Sequence, residues 1–200
     1  LPEILSALEE GTSMMTFSGH AGSQTWELMM VNEDIPRVNN PGKFPFIASM
    51  TCHTARFGNP VQNSFGEDFI RLPDRGAIGF WGTSGWGFVF QDGILLDGLF
   101  KAMSEDSVRS LGALTSLAKI SLWQRFGDFP TNINLIDQYT LLGDPSTMLA
   151  LPRKPDLHIE SSSISFTPPS PSEMDTLIHA VTAIRNRGLA MTDSFSLKLD

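Results

Sequence analysis

The chain has 200 residues, with 14 basic and 22 acidic side chains and a formal net charge of −8. That length suits one full core, or a core and a small module. The absence of a basic stripe excludes nucleic acid from the expected partners, and no apolar run is long enough for a membrane span. The single cysteine cannot form an internal disulfide. The start at Leu1-Pro2, without methionine or signal peptide, suggests a piece of a longer protein.

The first predicted elements are a helix and a short strand. Residues 2–10 predict a helix, since a proline suits its first turn and a glycine follows its end. Residues 14–17 are apolar and predict a strand that leads into a glycine-rich turn with His20 at its tip. Residues 26–30 are apolar but too short to assign. Residues 33–40 favour a loop or a single helical turn.

A second unit of strand and turn holds the cysteine. Residues 44–50 form an apolar run bounded by loop residues, which is typical of a buried parallel strand. Cys52 then lies just past the carboxyl end of that strand, at the edge where open parallel sheets bind ligands. A thiol there needs a base to become a good nucleophile, and His20 at the end of a neighbouring strand supplies one. His53 adjoins the cysteine, but neighbours in an extended chain point to opposite faces, so His20 is the preferred base.

The presence of one cysteine and a few histidines, taken alone, favours a simpler interpretation, in which the cysteine is a small buried hydrophobe and the histidine an unrelated loop residue.

Further along, Ser64 to Glu67 has the pattern of a capping box and opens a helix to residue 72. Residues 76–81 predict a third strand, and the glycine-rich turn after it brings Trp86 to the same rim. A loop tryptophan packed on the core is an equally weighted alternative there. Further elements are predicted as helices over 91–103, 108–126 and 132–142 and a closing strand over 147–151.

The pattern changes after residues 152–155, which form a linker by composition. The segments that alternate or are rich in β-formers are 157–166, 177–184 and 194–199. Their spacing predicts strands of a β-sandwich, but only about three are present where a complete sandwich has about seven. We therefore expect residues 156–200 to be a separate β module, either truncated or completed by something outside this chain.

Several motifs, taken together and in order, resemble the gingipain family of cysteine peptidases over roughly residues 1–151. They are Gly19-His20, the Ser23 to Trp26 step, Pro45-Phe46-Ile47, Thr51-Cys52, Gly76-Ala77-Ile78-Gly79 and residues 139–146. The spacing of 52 − 20 = 32 positions between histidine and cysteine also matches. The resemblance implies a caspase-like α/β fold with a mostly parallel sheet flanked by helices, of which residues 1–151 are the C-terminal part.

The resemblance also implies a reaction and its residues. Peptide bonds are cleaved through an acyl-enzyme, with Cys52 as the nucleophile and His20 as its activating base or as the acid for the leaving amine. The backbone N–H groups of Ala21 and Cys52 hold the oxyanion. In the resemblance, the loop that carries Trp86 forms a wall of the pocket for the residue before the cleaved bond. Because this loop follows the third strand and should stand beside Cys52, we also predict Thr83 and Ser84 near the substrate backbone. No cofactor is required for catalysis, and a structural calcium ion stays open with no ligands assigned to it.

Three departures from the gingipain pattern bear on activity. The family has glycine directly after the histidine, and Ala21 would strain a turn that required a positive φ there. His53-Thr54-Ala55 stands where gingipains carry an Asn-Gly step. The acidic partner of the histidine, and the acidic residue that selects a basic side chain in arginine-specific members, lie upstream of this chain in the family.

Two alternatives to an endopeptidase stay open. Sortase-like relatives of the gingipains share the dyad but pass the acyl group to an amine, and Thr51-Cys52 with the later Arg56-Phe57-x-Asn59-Pro60 step is similar to them. The other alternative is an inactive surface-binding scaffold. Pro155-Asp156-Leu157 and residues 185–188 resemble the immunoglobulin-like modules of bacterial adhesion proteins. The combined resemblance implies a secreted or cell-surface bacterial protein whose partner is a protein or peptide substrate.

Overall fold

The computed structural model describes residues 1–152 and 154–198. The chain divides into two compact units, Leu1–Ala150 and a second unit that begins at Leu151. The helices of the first unit are α1 (Pro2–Glu10), α2 (Phe65–Arg71), α3 (Val89–Ser104), α4 (Leu111–Phe126) and α5 (Pro130–Gln138), with a 3₁₀ helix over Asn32–Arg37. Its strands are β1 (Met14–Ser18), β2 (Ala21–Gly22), β3 (Thr25–Trp26), β4 (Met30–Val31), β5 (Phe46–Met50), β6 (Gly79–Thr83) and β7 (Tyr139–Gly143).

The main sheet has the strand order β1-β5-β6-β7. Strands β1, β5 and β6 are parallel, and β7 runs antiparallel to β6. Every residue of β5 and β6 is buried, because the sheet is covered on both faces. The mostly parallel α/β sheet predicted from the sequence is therefore confirmed, and the apolar run before Cys52 is its buried parallel strand.

Trp26 is the centre of the core on one side of this sheet. Its ring stacks on Phe17 at 4.6 Å between centroids and also contacts the rings of Phe65 and Phe69. Its Nε1–H donates to Ser49 Oγ on β5 at 2.9 Å, so the buried indole keeps a hydrogen-bond partner. The apolar stretch over residues 26–30 is not one element, since β3 and β4 pair across a turn within it.

Local sequence signals predict the starts of α1 and α2 correctly, but not the start of the third strand. The capping box that opens α2 is confirmed: Ser64 N–H donates to Glu67 Oε2 at 2.8 Å, and Glu67 N–H donates to Ser64 Oγ at 3.4 Å. Helix α1 has its predicted bounds. The third strand begins later than predicted, because Gly76 has a φ of +99° and its N–H is held by Asn40 Oδ1 at 2.9 Å. Gly76 therefore belongs to a turn.

Two elements near the end of the first unit differ from the predictions. The helix predicted over 132–142 stops at Gln138, because residues 139–143 pair with β6 as the antiparallel strand β7. The closing strand predicted over 147–151 is wrong, since only Met148 forms a bridge, to Ser110. The backbone there is used otherwise: Thr147 C=O accepts from the N–H of Leu111 at 2.9 Å, at the start of α4.

The turn before this segment is fixed by Asp144. Its carboxylate accepts hydrogen bonds from the backbone N–H and the hydroxyl of Ser146, both at 2.8 Å. These bonds hold the pKa of Asp144 below its usual value. The next residue, Pro145, lies so close to α4 that a Cβ at Gly112 would come within 2.7 Å of it. The motif at residues 143–146 therefore holds the start of α4 in place.

The second unit contains an antiparallel pair, β8 (Leu157–Thr167) and β9 (His179–Asn186), whose register shifts between Ile159 and Ile164. The strand predicted over 194–199 is wrong for residues 194–198, and residue 199 lies outside the described residues. Among residues 1–152 and 154–198, no helix combines the length and apolar character needed to cross a membrane.

Candidate active site

His20 and Cys52 follow the carboxyl ends of two neighbouring parallel strands. In the β1–β5 ladder Ser18 lies opposite Met50, and each of the two residues comes two positions later. Gly19 lies between β1 and His20, and Thr51 lies between β5 and Cys52. Thr51 Oγ1 donates to Gly19 C=O at 2.6 Å. This hydrogen bond joins the two turns one position before His20 and one before Cys52. The sheet therefore brings both turns to one edge and ties them together there.

The backbone after His20 turns back at once into β2. The carbonyl of His20 accepts from Glu27 N–H at 3.0 Å, and Ala21 pairs with Trp26. Residues other than glycine with positive φ are, within the described parts of the chain, Leu28, His53, Asp74 and Ser107. Ala21 thus lies in extended backbone, and the strain expected from alanine after the histidine does not arise.

The departure that does carry a conformational cost is His53, whose φ is +59°. Its N–H donates to Gly85 C=O at 2.7 Å, and its ring meets Trp86 edge-on at 4.7 Å between centroids. The His53 Nδ1 atom is buried without a hydrogen-bond partner in the structure. His53 therefore braces the loop after β6, on which Trp86 lies.

Gly87 brings the same loop onto the thiol. Its N–H lies 3.3 Å from Cys52 Sγ, and its carbonyl oxygen lies 3.8 Å from the same sulfur. A Cβ at position 87 would come within 2.7 Å of Asp92 Oδ2 and 2.9 Å of the Thr51 carbonyl carbon. Only glycine fits between these groups, so the close approach of the N–H to the sulfur depends on the missing side chain.

The predicted substrate-binding residues take different positions on this loop. Trp86 is 66% exposed, which rules out the alternative that it packs in the core. Thr83 is buried, and its hydroxyl accepts from Gly85 N–H at 2.9 Å. The hydroxyl of Ser84 donates to Gln138 C=O at 3.1 Å. The loop is thus held from within by Thr83 and Ser84 and presents the indole to solvent.

A buried Asp92–Tyr139 pair lies next to Gly87, and sequence reasoning missed it. The Tyr139 hydroxyl donates to Asp92 Oδ1 at 2.8 Å, and both residues are almost fully buried. Burial raises the pKa of Asp92, and burial together with the Asp92 carboxyl raises the pKa of Tyr139 well above its usual value. A signal existed: Asp92 is three and seven positions before Leu95 and Leu99, so a carboxylate interrupts the apolar stripe of α3.

Comparison with known proteins identifies the family. The model of peptidase family C25 matches residues 2–150. The crystal structure of the Arg-specific cysteine proteinase gingipain R has a TM-score of 0.70 at 18% identity and covers 80% of this chain and 39% of its own. The complex of Porphyromonas gingivalis RgpB pro- and mature domains gives 0.68 at 18%, covering 80% and 40%. A third structure, of a protease, gives 0.66 at 19%, covering 80% and 42%.

The chain thus spans about two fifths of the length of these solved chains. At such identities the structural likeness shows the fold, which is that of the gingipains. No curated protein matches the sequence. The family model, in contrast, matches three quarters of the chain in one stretch, from residue 2 to residue 150. The chain therefore belongs to peptidase family C25, a family of cysteine peptidases.

Proposed function

We propose that the chain carries the catalytic dyad of a cysteine endopeptidase, with Cys52 as the nucleophile and His20 as its acid–base partner. The observation that carries the proposal is the β1–β5 register, which sets both turns at one sheet edge, joined by the Thr51–Gly19 hydrogen bond. The half-buried thiol with a backbone N–H directed at its sulfur adds independent support. Residues 1–151 are the proposed peptidase domain.

The proposed reaction proceeds through an acyl-enzyme. The Cys52 thiolate adds to the carbonyl carbon of the scissile bond, forming an S–C bond and moving an electron pair onto the carbonyl oxygen. Collapse of this intermediate breaks the C–N bond, and protonated His20 gives its proton to the leaving amine. Water, deprotonated by His20, then attacks the thioester and releases the carboxylic acid and the thiolate. This chemistry needs no cofactor, and we assign neither a metal nor a calcium ligand set.

The oxyanion of the two tetrahedral intermediates is assigned to the backbone N–H groups of Ala21 and Cys52. Extended backbone at Ala21 supports this role, because alanine adopts it without strain and the role requires no side chain. Gly87 N–H is already directed at the sulfur, so it serves the nucleophile rather than the oxyanion.

The loop after β6 is the proposed substrate-binding segment. Trp86 offers an exposed flat surface to the substrate side chain before the cleaved bond. Ser84 lies near the substrate backbone, and Thr83, with its side chain turned inward, contributes by shaping the loop.

Replacing Trp86 with alanine is expected to alter substrate selection more than stability. The indole is mostly exposed, so its loss should lower the melting temperature by no more than about 2–4 °C. The preferred residue before the cut, or KM, should change, because one wall of the pocket is removed. Thermal melts beside a peptide-library profile measure both. Trp123→Ala, at another exposed tryptophan on α4, is the matched control and should leave the profile unchanged.

For the rest of the chain, we propose that residues 152–155 are a linker and that residues 156–200 belong to an incomplete immunoglobulin-like module. The antiparallel β8–β9 pair supports a β module of this kind. Such a module beside a gingipain-like domain supports a secreted or cell-surface location, with proteins or peptides as substrates.

Mass spectrometry of a peptide library incubated with the protein tests the function. Endopeptidase action predicts internal cleavage products that carry one added water. Transfer of the acyl fragment to an added amine, in preference to water, would instead identify a sortase-like transpeptidase. Intact peptides, together with no labelling of Cys52 by a peptide that bears a thiol-reactive group, would identify an inactive scaffold.

A further inference from the structure

The Asp92–Tyr139 hydrogen bond joins α3 to β7. Asp92 lies in the first turn of α3, and its backbone N–H donates to the Phe88 carbonyl at 2.8 Å, where that helix begins. Tyr139 opens β7 opposite Thr83 of β6, with its ring 5.1 Å from that of Trp81. The pair therefore links the first turn of α3 to the first residue of β7.

Gly87 lies between this pair and the residue before the nucleophile. Asp92 Oδ2 and the Thr51 carbonyl both lie within contact distance of the position that a Cβ at Gly87 would take. The Tyr139 hydroxyl in turn donates to the other oxygen of that carboxyl, Asp92 Oδ1, at 2.8 Å. Since Gly87 N–H reaches Cys52 Sγ from this confined position, any movement of the carboxyl would move the donor.

We propose that Asp92 and Tyr139 are positioning residues for the nucleophile: they hold Gly87 so that its N–H meets the Cys52 sulfur. The significance of this role rests on the proposed peptidase function. A buried carboxyl and a buried phenol are costly to place in a core, and their mutual hydrogen bond offsets part of that cost. They act through Gly87 and touch no substrate.

Asp92 could act on the thiol through its charge or by positioning Gly87, and these two explanations predict opposite effects when the carboxyl is removed. A negative group near the thiol disfavours the thiolate, so its removal alone would make the sulfur reactive at lower pH. Loss of the Gly87 N–H contact would make the sulfur reactive only at higher pH. Other titratable groups on the segments around the thiol are His20 after β1 and His53 beside it, so each variant is compared with the wild type over the same pH range.

The test is the rate at which iodoacetamide alkylates Cys52, followed by intact mass against pH. Because the chain has one cysteine, the signal has one source. Asp92→Ala and Tyr139→Phe should each slow alkylation at pH 7 by about tenfold, the effect of losing one hydrogen bond to a charged group. The profile should move to higher pH with its plateau at high pH unchanged. Tyr139→Phe keeps the ring and the Asp92 carboxyl, so it tests the inference even if Asp92→Ala does not fold.

Thr115→Val is the control, since Thr115 is a buried residue whose hydroxyl, among the described residues, bonds only carbonyls of its own helix. An unmoved profile in Tyr139→Phe, a shift to lower pH in Asp92→Ala, or an equal shift in Thr115→Val would each overturn the inference. Alkylation reports on the thiol whether or not peptides are cleaved. Failure of this inference is therefore distinguishable from failure of the proposed function, which peptide products report.

Discussion

Replacing Cys52 with alanine is expected to abolish peptide cleavage, lowering kcat/KM by at least about 10⁴-fold, because no other group supplies the nucleophile. The free energy of unfolding should change by less than about 1 kcal/mol, since the side chain is small and half-buried. Peptide cleavage, measured by mass spectrometry, and urea denaturation give the two quantities. The measurement applies to this chain and to any longer protein that contains it.

Two histidine variants add a second test of the dyad and a control for it. His20→Ala should reduce cleavage nearly as far as Cys52→Ala, because the leaving amine would lose its proton donor. His158→Ala, at a partly exposed histidine on β8, is the matched control and should cleave like the wild type. Cleavage that persists in Cys52→Ala would show that the reaction is carried out elsewhere, and the proposed function would then be wrong.

The largest expected effect on stability belongs to Trp26. Trp26→Ala should lower the free energy of unfolding by about 3–5 kcal/mol, because the change leaves a large cavity among Phe17, Phe65 and Phe69. It also removes the hydrogen bond to Ser49, whose hydroxyl keeps its hydrogen bond with Thr54. Guanidinium denaturation followed by circular dichroism measures the change.

Trp123→Ala is again the matched control, because that indole is about half exposed on α4 and should cost less than about 1 kcal/mol. If the two variants unfold at the same denaturant concentration, Trp26 is not the centre of the core. Because unfolded protein has no active site, Trp26→Ala should also reduce cleavage, in proportion to the fraction of protein that unfolds.

The parts of the fold that could be predicted from the sequence have local causes. The run over residues 44–50 is apolar at every position except Ser49, and a strand buried on both faces suits it. The capping box at Ser64 and Glu67 closes within four residues, so nothing distant can change it. His20 and Cys52 could be named as a pair because each follows such a strand, and the family resemblance then assigned their roles.

The parts that could not be predicted depend on distant contacts. Residues 139–142 have no strong preference between helix and strand, and pairing with β6 decides the matter. The hydrogen bond between Asp92 and Tyr139 joins residues 47 positions apart, so no short window of sequence contains it. Strain is expected at Ala21, in the turn after β1, but the strained residue is His53, in the turn after β5. Backbone dihedrals at loop tips depend on what the loop packs against, which the sequence does not give.

The β1–β5 register has a consequence for how relatives of this protein can vary in length. What fixes His20 beside Cys52 is the pairing of Ser18 with Met50, and not the number of residues between them. Insertions at the exposed turn around Gly42 would therefore leave the two turns together. A slip of one residue in the ladder, with no change in length at all, would turn every side chain of β5 to the other face of the sheet. Sequence searches for such sites should accordingly allow any gap between the two strands and hold constant only the two positions that separate each strand end from its reactive residue.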